Sequence, residues 1–317
     1  MGTPELAATV LRRLLAPDSP VAVAGVVTQP DRPVGRSGQP APSPVKRLAL
    51  EHDLPVLQPP SLRRPAAVAA LARLRPDLGI VAAFGSILRP DVLALAPRGY
   101  LNVHASLLPR WRGAWPVGAA ILAGDAETGV TIMRLNEGMD TGPTLARRTE
   151  PITPRDTTAT LQARLADLGA GLLAETIPGY LDGSLVPRPQ DDRAATYCHP
   201  VRKEDGRLDW ARPAAALERQ VRAMQPWPVA FTTWEGKALR VLAARALEAL
   251  PGDPQPAPPD GPPPGGPGSV VRAGKGVAVA TGAGWLALDE LQLEGRGATA
   301  GAAFVNGYRG FPGSRLR

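Results

Sequence analysis

The chain has 317 residues, of which 44% are hydrophobic, and a formal net charge of +7. This is enough for one large domain and a second, smaller one. The longest apolar run, residues 114–124, is far short of the roughly 20 residues that span a bilayer. A single cysteine, Cys198, and three histidines argue against a disulfide framework and a histidine-rich metal site. We therefore expect a cytoplasmic protein that needs no metal, and the charge weakly suggests an anionic partner.

The first part of the chain alternates short apolar segments with helical patterns. Segments typical of buried parallel strands lie at 21–27, 78–84 and 101–104. Helical periodicity with suitable starting residues favours helices at 7–15, 43–52, 64–74 and 158–181. The alternation predicts a doubly wound, Rossmann-like α/β fold. Because no Gly-x-Gly-x-x-Gly follows the first predicted strand, a nicotinamide or flavin dinucleotide is disfavoured.

The second part of the chain reads differently. Residues 184–200 are polar and rich in proline, so we interpret them as an interdomain linker. A helix at 213–224 follows, and then strand patterns at 230–234, 239–243, 276–281 and 285–288, typical of a small antiparallel barrel. Proline and glycine dominate residues 251–268, which predicts a disordered surface loop.

Three polar residues are the best candidates for chemistry. Asn102 and His104 are two residues apart in a predicted strand, so their side chains share one face. Asp140 lies in a turn-prone Gly-Met-Asp-Thr-Gly segment that suits a rigidly held carboxylate. An amide donor, an imidazole and a carboxylate suit acyl transfer. Residue type alone leaves other roles open, because Asn102 could cap a turn, His104 could be a hydrogen-bonded strand residue and Asp140 an ordinary turn residue.

The whole string from Leu101 to Gly142 resembles the folate-dependent formyltransferase family. That family carries Asn-x-His on a strand, a Ser-Leu-Leu-Pro loop and an Asp-Thr-Gly turn, which correspond here to 102–104, 106–109 and 140–142. Other segments resemble the members that act on tRNA, namely residues 2–7, 28–33, 42–46, 109–113 and 129–132. The match runs nearly from end to end.

The resemblance implies a reaction and roles for these residues. The expected reaction transfers the formyl group of 10-formyltetrahydrofolate to the α-amino group of methionyl initiator tRNA. Asn102 and His104 would stabilise the oxyanion of the tetrahedral intermediate, and Asp140 would orient His104. The residues expected to contact the folate are Ser106, Leu107, Leu108 and Pro109, with the backbone of 82–85 as a further wall.

The resemblance also implies a division of labour between two domains. Residues 1–183 would form the catalytic domain, and 201–317 an OB-like β-barrel domain that binds tRNA. Arg36 would probe the tRNA acceptor stem, although Ser37, Gly38 and Gln39 stand where similar loops carry lysines. Arg202 and Lys203 would supply further phosphate contacts. We expect the protein to be a monomer.

One departure from the family concerns the first strand. In the family an apolar strand precedes the Gly-Thr-Pro, whereas here Met1 stands directly before Gly2. We therefore expect the sheet to lack a strand near its centre, which would leave backbone groups of its neighbours unpaired. An internal start codon and a real truncation both fit this pattern.

Two alternative functions remain open from the sequence. A formyltransferase acting on a nucleotide sugar or a purine-pathway amine would keep Asn102, His104 and Asp140. It would not need the loop at 28–44 or a basic C-terminal domain, so these features favour tRNA. A non-enzymatic RNA-binding protein would keep the barrel and lose the site, yet all three polar residues are present.

Overall fold

A computed structural model describes residues 1–33, 39–251 and 261–317. The chain folds into two compact units. The first contains Met1–Val117, Ala126–Ile152 and Thr160–His199; the second contains Gly118–Asp125, Thr153–Ala159 and Pro200–Arg317. Residues 184–199 of the predicted linker therefore belong to the first unit. The helices are α1 Glu5–Leu14, α2 Pro44–Glu51, α3 Pro65–Ala72, α4 Pro90–Leu93, α5 Pro116–Ala123, α6 Thr158–Leu181, α7 Ala214–Ala223 and α8 Gly301–Gly307.

The first unit carries short strands in several small sheets. They are β1 Val26–Val27, β2 Arg32–Pro33, β3 Pro40–Ala41, β4 Val56–Leu57, β5 Gly79–Val81, β6 Tyr100–His104, β7 Arg112–Gly113, β8 Glu127–Arg134, β9 Thr144–Pro151 and β10 Tyr197–Cys198. The four-stranded sheet has the order β5-β6-β8-β9, and β5 runs parallel to β6 while β8 and β9 are antiparallel additions. β1 pairs with β4, and β7 with β10, both in parallel. This layout is consistent with the predicted Rossmann-like α/β domain.

Met1 and Gly2 link β1 to the segment that follows β5, where the Ala82 amide donates to the Met1 carbonyl at 3.0 Å. The amide of Gly2 donates to the Val27 carbonyl at 3.0 Å, and Gly2 forms a parallel bridge with Ala82. Below this bridge lies an apolar trough of about 390 Å³, lined by α1, residues 21–27 and residues 74–80. The predicted strand at 21–27 has ladder pairing only at Val26–Val27. That the sheet lacks a strand here stays a prediction.

The amino group of Met1 is buried at the head of the trough. It donates to the Ile80 carbonyl at 2.6 Å. Because burial disfavours the charged form, the pKa of this amine falls from 8.0 to about 5. The trough therefore contains one polar group that is most stable when neutral.

The second unit is built around an antiparallel sheet. Its strands are β11 Ala230–Trp234, β12 Lys237–Leu247, β13 Val270–Ala273, β14 Gly276–Ala280, β15 Trp285–Leu293 and β16 Thr299–Ala300. The order is β11-β12-β15-β14-β13, with β16 added on β15. Alternating burial along β11 places Trp234 in a core with Phe304 and Phe311, whose ring centroids lie 6.0 and 5.1 Å away.

The predicted closed barrel is not confirmed. Across the described residues of this unit, β11 and β13 end the sheet path and do not pair with each other. The C-terminal segment 313–317 instead hydrogen-bonds to both edges, through Ser314 to Val270 of β13 and through Arg317 to Thr233 of β11. The two edges are thus tied by a tail and the ladder stays open.

The segment predicted as a disordered loop, 251–268, is described only at 251 and 261–268. Gly268 donates to the Ala280 carbonyl at 2.8 Å and accepts, through its own carbonyl, from the Leu316 amide at 2.9 Å. Residues 252–260 lie outside the described part of the chain. The last residues of the segment are therefore anchored to β14 and the C-terminal tail.

Candidate active site

The fold places Asn102 and His104 on the floor of a cleft. Both lie on β6, a strand whose five residues are all buried because it has a strand on each side and apolar residues between the polar ones. Only 8% of Asn102 and 6% of His104 is exposed. Both side chains nevertheless line a cleft of about 420 Å³ in the first unit. They form its polar floor.

Asp140 reaches the same floor from the turn after β8. Its φ of 54° is left-handed, a conformation that aspartate tolerates better than most residues. Its Oδ2 accepts from the Gly113 amide at 2.8 Å, and its Oδ1 lies 3.7 Å from His104 Nδ1. The distance of 3.7 Å between Nδ1 and Oδ1 is too long for a hydrogen bond, so this pair is an electrostatic contact.

The other ring nitrogen of His104 faces the backbone. Nε2 lies 3.0 Å from the Trp111 carbonyl, and a carbonyl can only accept, so this contact requires the proton on Nε2. Trp111 is itself held in a left-handed conformation with φ of 60°, and its amide donates to Thr196 Oγ1 at 2.9 Å. The imidazole is thus fixed at both edges, as a group that handles protons or an oxyanion needs to be.

The rest of the cleft wall is mostly apolar. Phe84 is buried, whereas Ile87 and Met139 are 62% and 45% exposed at the rim. Ala83 and Gly85 have φ of 45° and 75°, which turns the backbone of 83–85 along the wall. A few polar groups on an apolar surface are typical of a small-molecule site. The second wall predicted for the folate, 82–85, contributes its residues 83–85 to this cleft.

That the four residues Ser106–Pro109 contact the folate stays a prediction. Ser106 and Leu108 are fully buried, and the described residues Ser106–Pro109 are absent from the cleft lining. Ser106 Oγ donates to the Arg110 carbonyl at 2.6 Å, and Thr131 Oγ1 donates to the Ser106 carbonyl at 2.7 Å. In this structure the loop supports the strand end behind the site.

Two of the three residues predicted to bind tRNA belong to the second unit. Arg202 and Lys203 are exposed in the second unit, where the Arg202 amide donates to Asp205 at 2.6 Å. Arg36 lies outside the described residues. Over the described ranges, no cluster of His, Cys, Asp and Glu is arranged to hold a metal ion. Likewise, none of the helices described is long and apolar enough to cross a membrane.

Sequence reasoning missed several groups around the site. Gln162 lines the cleft from α6. Arg112, 1% exposed, and Gln190 support the Asp140 turn from behind. An arginine in a Pro-Arg-Trp-Arg-Gly string and a glutamine in a polar segment look solvent-exposed, so no pattern pointed to them.

Comparison with known proteins decides the family. The model of the family "Formyl transferase" matches residues 1–177, and that of "Formyl transferase, C-terminal domain" matches residues 200–309. The chain belongs to the formyl transferase family. This formyl transferase is 48% identical to the methionyl-tRNA formyltransferase of Roseiflexus castenholzii over 316 residues, covering 100% of the chain and 97% of the relative. It is 50% identical to that of Pseudomonas syringae pv. syringae over 295 residues, 93% of the chain and 89% of the relative.

Solved structures share the fold at low identity. WlaRD, a sugar 3N-formyl transferase, superposes with a TM-score of 0.64 at 15% identity, covering 93% of this formyl transferase and 96% of WlaRD. HypX from Aquifex aeolicus, solved with tetrahydrofolic acid, gives 0.57 at 20% identity over 83% of this chain and 44% of HypX. These likenesses establish the architecture alone.

Proposed function

We propose that this formyl transferase moves the formyl group of 10-formyltetrahydrofolate to the α-amino group of methionyl initiator tRNA. The observation that carries the proposal is the convergence of Asn102, His104 and Asp140 on one cleft. The full-length relatives named methionyl-tRNA formyltransferase, at 48% and 50% identity, support the acceptor. The relative solved with tetrahydrofolic acid supports a folate-type donor.

The chemistry follows from what the three side chains can donate and hold. The amine attacks the formyl carbon, a new C–N bond forms, and the carbonyl oxygen becomes an oxyanion. Asn102 donates a hydrogen bond to that oxyanion. His104 donates from Nδ1 as an imidazolium, because its Nε2 proton is used on the Trp111 carbonyl, and the Asp140 carboxylate stabilises the positive charge. The intermediate then loses its bond to N10 of the folate, and the proton lost by the amine goes to N10, through Asp140 or a water. No covalent bond to the protein is needed.

The tRNA is proposed to contact both units through basic side chains. Arg36 reads the acceptor stem, and Arg202 and Lys203 bind phosphate from the second unit. The antiparallel sheet of that unit is the part of the chain proposed to hold tRNA. A basic net charge of +7 supports an anionic partner of this size.

The function is tested by formyl transfer from 10-formyltetrahydrofolate to methionylated initiator tRNA. The matched control is the same tRNA with the methionine amine acetylated, which leaves every tRNA contact but removes the nucleophile. Formylation of the first substrate alone supports the proposal. Formylation of an amino sugar nucleotide, with the tRNA left unmodified, overturns the acceptor while keeping the donor.

Arg36 provides a separate test of the tRNA contact. We expect Arg36→Ala to lower kcat/KM for the tRNA by about tenfold, since one phosphate contact is lost, with little change in folate affinity. Arg36→Lys is the control, because it keeps the charge and should retain most activity. The measurement is steady-state kinetics with each substrate varied. Unchanged kinetics in Arg36→Ala would remove this residue from the tRNA surface.

A further inference from the structure

One glutamine side chain holds the turn that carries Asp140. Gln190 donates from Nε2 to the Asp140 carbonyl at 2.9 Å and to the Gly142 carbonyl at 2.6 Å. It therefore uses both amide protons on a single turn. Asp140 has a left-handed conformation in this turn, and the two hydrogen bonds from Gln190 hold the turn on either side of Thr141.

Arg112 fixes the orientation of that glutamine. The Arg112 guanidinium donates to Gln190 Oε1 from Nε at 3.1 Å and from Nη2 at 2.9 Å. Because a guanidinium only donates, the amide oxygen must face Arg112 and the amide nitrogen must face the turn. Asp192 and Tyr197 hold the other guanidinium edges, at 2.7 and 3.3 Å. The orientation of Gln190 is thus determined by the network.

The same stretch of chain also supports His104. Thr196 Oγ1 accepts from the Trp111 amide at 2.9 Å, and the Trp111 carbonyl contacts His104 Nε2. The segment 190–197 therefore supports both members of the His104–Asp140 pair from the side away from the cleft. A segment that resembled a linker in sequence acts as a frame for the site.

We propose that Gln190 is a positioning residue for formyl transfer. It holds the turn so that the Asp140 carboxylate stays beside His104, and it acts through Asp140 without touching substrate. This inference rests on the proposed function. Its expected signature is a fall in kcat with little change in KM, because the cleft walls that bind substrate are left intact.

The variant that isolates this role is Gln190→Glu. The two side chains have the same size, but glutamate places an oxygen where the Gln190 amide nitrogen donated to two carbonyls, so both hydrogen bonds are lost. Gln225→Glu is the matched control: Gln225 Nε2 donates to a backbone carbonyl, that of Leu242, at 2.7 Å in the second unit. We expect kcat to fall 10- to 100-fold in Gln190→Glu and less than twofold in Gln225→Glu.

A double-mutant cycle separates positioning from general support of the fold. Asp140→Asn removes the carboxylate through which Gln190 acts. If the proposal holds, adding Gln190→Glu to Asp140→Asn lowers kcat by less than threefold, because the shared pathway is already broken. Independent, multiplicative losses would show a structural role and overturn the proposal, as would an unchanged kcat in Gln190→Glu alone. Thermal unfolding of each variant confirms that rates are measured on folded protein.

The activity of the wild-type protein distinguishes a failure of this inference from a failure of the proposed function. If the wild type does not formylate methionyl initiator tRNA, the proposed function is wrong. If the wild type is active and Gln190→Glu matches it, only the positioning role is wrong.

Discussion

Two cavities of the first unit have nearly equal size but differ in which polar side chains they bring together. The cleft measures about 420 Å³ and the trough about 390 Å³. Asn102, His104 and Asp140 converge on the cleft, whereas the trough is lined mostly by apolar residues, with Arg75 and Asp77 as its charged side chains. Volume therefore does not identify the reactive site. Convergent polar groups do, because they can act on charge that develops in a reaction.

The largest expected effect is the loss of catalytic rate when a polar residue of the cleft is removed. Asn102→Ala should lower kcat for formyl transfer by about 10²–10³, the loss typical of one oxyanion donor, while substrate binding stays close to wild type. Single-turnover kinetics with bound tRNA measure the chemical step. Asn306→Ala, an exposed asparagine of α8, serves as the control. A parallel loss of tRNA binding would argue against an oxyanion role for Asn102.

The buried Met1 amine in the trough should make the stability of the protein depend on pH. The Met1 amine has a pKa of about 5 in the folded chain and 8.0 as its reference, so between these values the unfolded state binds more protons. The free energy of unfolding should therefore rise with pH from 5 to 8, by at most about 4 kcal/mol. Urea unfolding at several pH values measures it. The Nα-acetylated chain should lack this part of the slope, and identical slopes would contradict the burial of the amine.

A substitution in the trough wall should lower the stability of the protein without changing the rate of formyl transfer. Leu11 of α1 is 7% exposed and lines the trough, so Leu11→Ala should lower the free energy of unfolding by about 2–3 kcal/mol, the low end for a core leucine next to existing space. The rate per folded molecule should not change. Leu50→Ala is the control, since Leu50 is 56% exposed. A lower rate in folded Leu11→Ala would link the two cavities.

The smallest effect concerns the thiol near the cleft. Burial raises the pKa of Cys198, so the reactive thiolate is scarce at pH 8. We expect slow alkylation by iodoacetamide in the folded chain and fast alkylation in urea, measured by mass spectrometry. Rapid labelling of the folded protein would mean that this part of the site opens readily.

Where the sequence has a clear helical or strand periodicity, it predicted the element, as two examples show. The helix predicted at 158–181 and the strand at 230–234 match α6 and β11 residue for residue. β8 and β9 were missed. Much of β9 is charged and exposed. The alternation of apolar and polar residues that usually marks a strand is therefore missing from its sequence. Only tertiary pairing with β8 makes the segment a strand.

The part of the site that depends on the spacing of residues along one strand was predictable from the sequence. Two residues on one strand share a face, so Asn102 and His104 follow from the sequence. That Asp140 joins them depends on the fold, and the family resemblance supplied it. The roles of Arg112 and Gln190 were out of reach, because their partners lie 78 and about 50 positions away along the chain.

The tail that ties β11 to β13 also protects the edges of the second unit's sheet. An edge strand with unpaired amides and carbonyls is a template for pairing with another chain. Segment 313–317 pairs with one backbone position on each edge, Val270 of β13 and Thr233 of β11. Loss of this segment would therefore expose both edges at once and favour association of one sheet with the next.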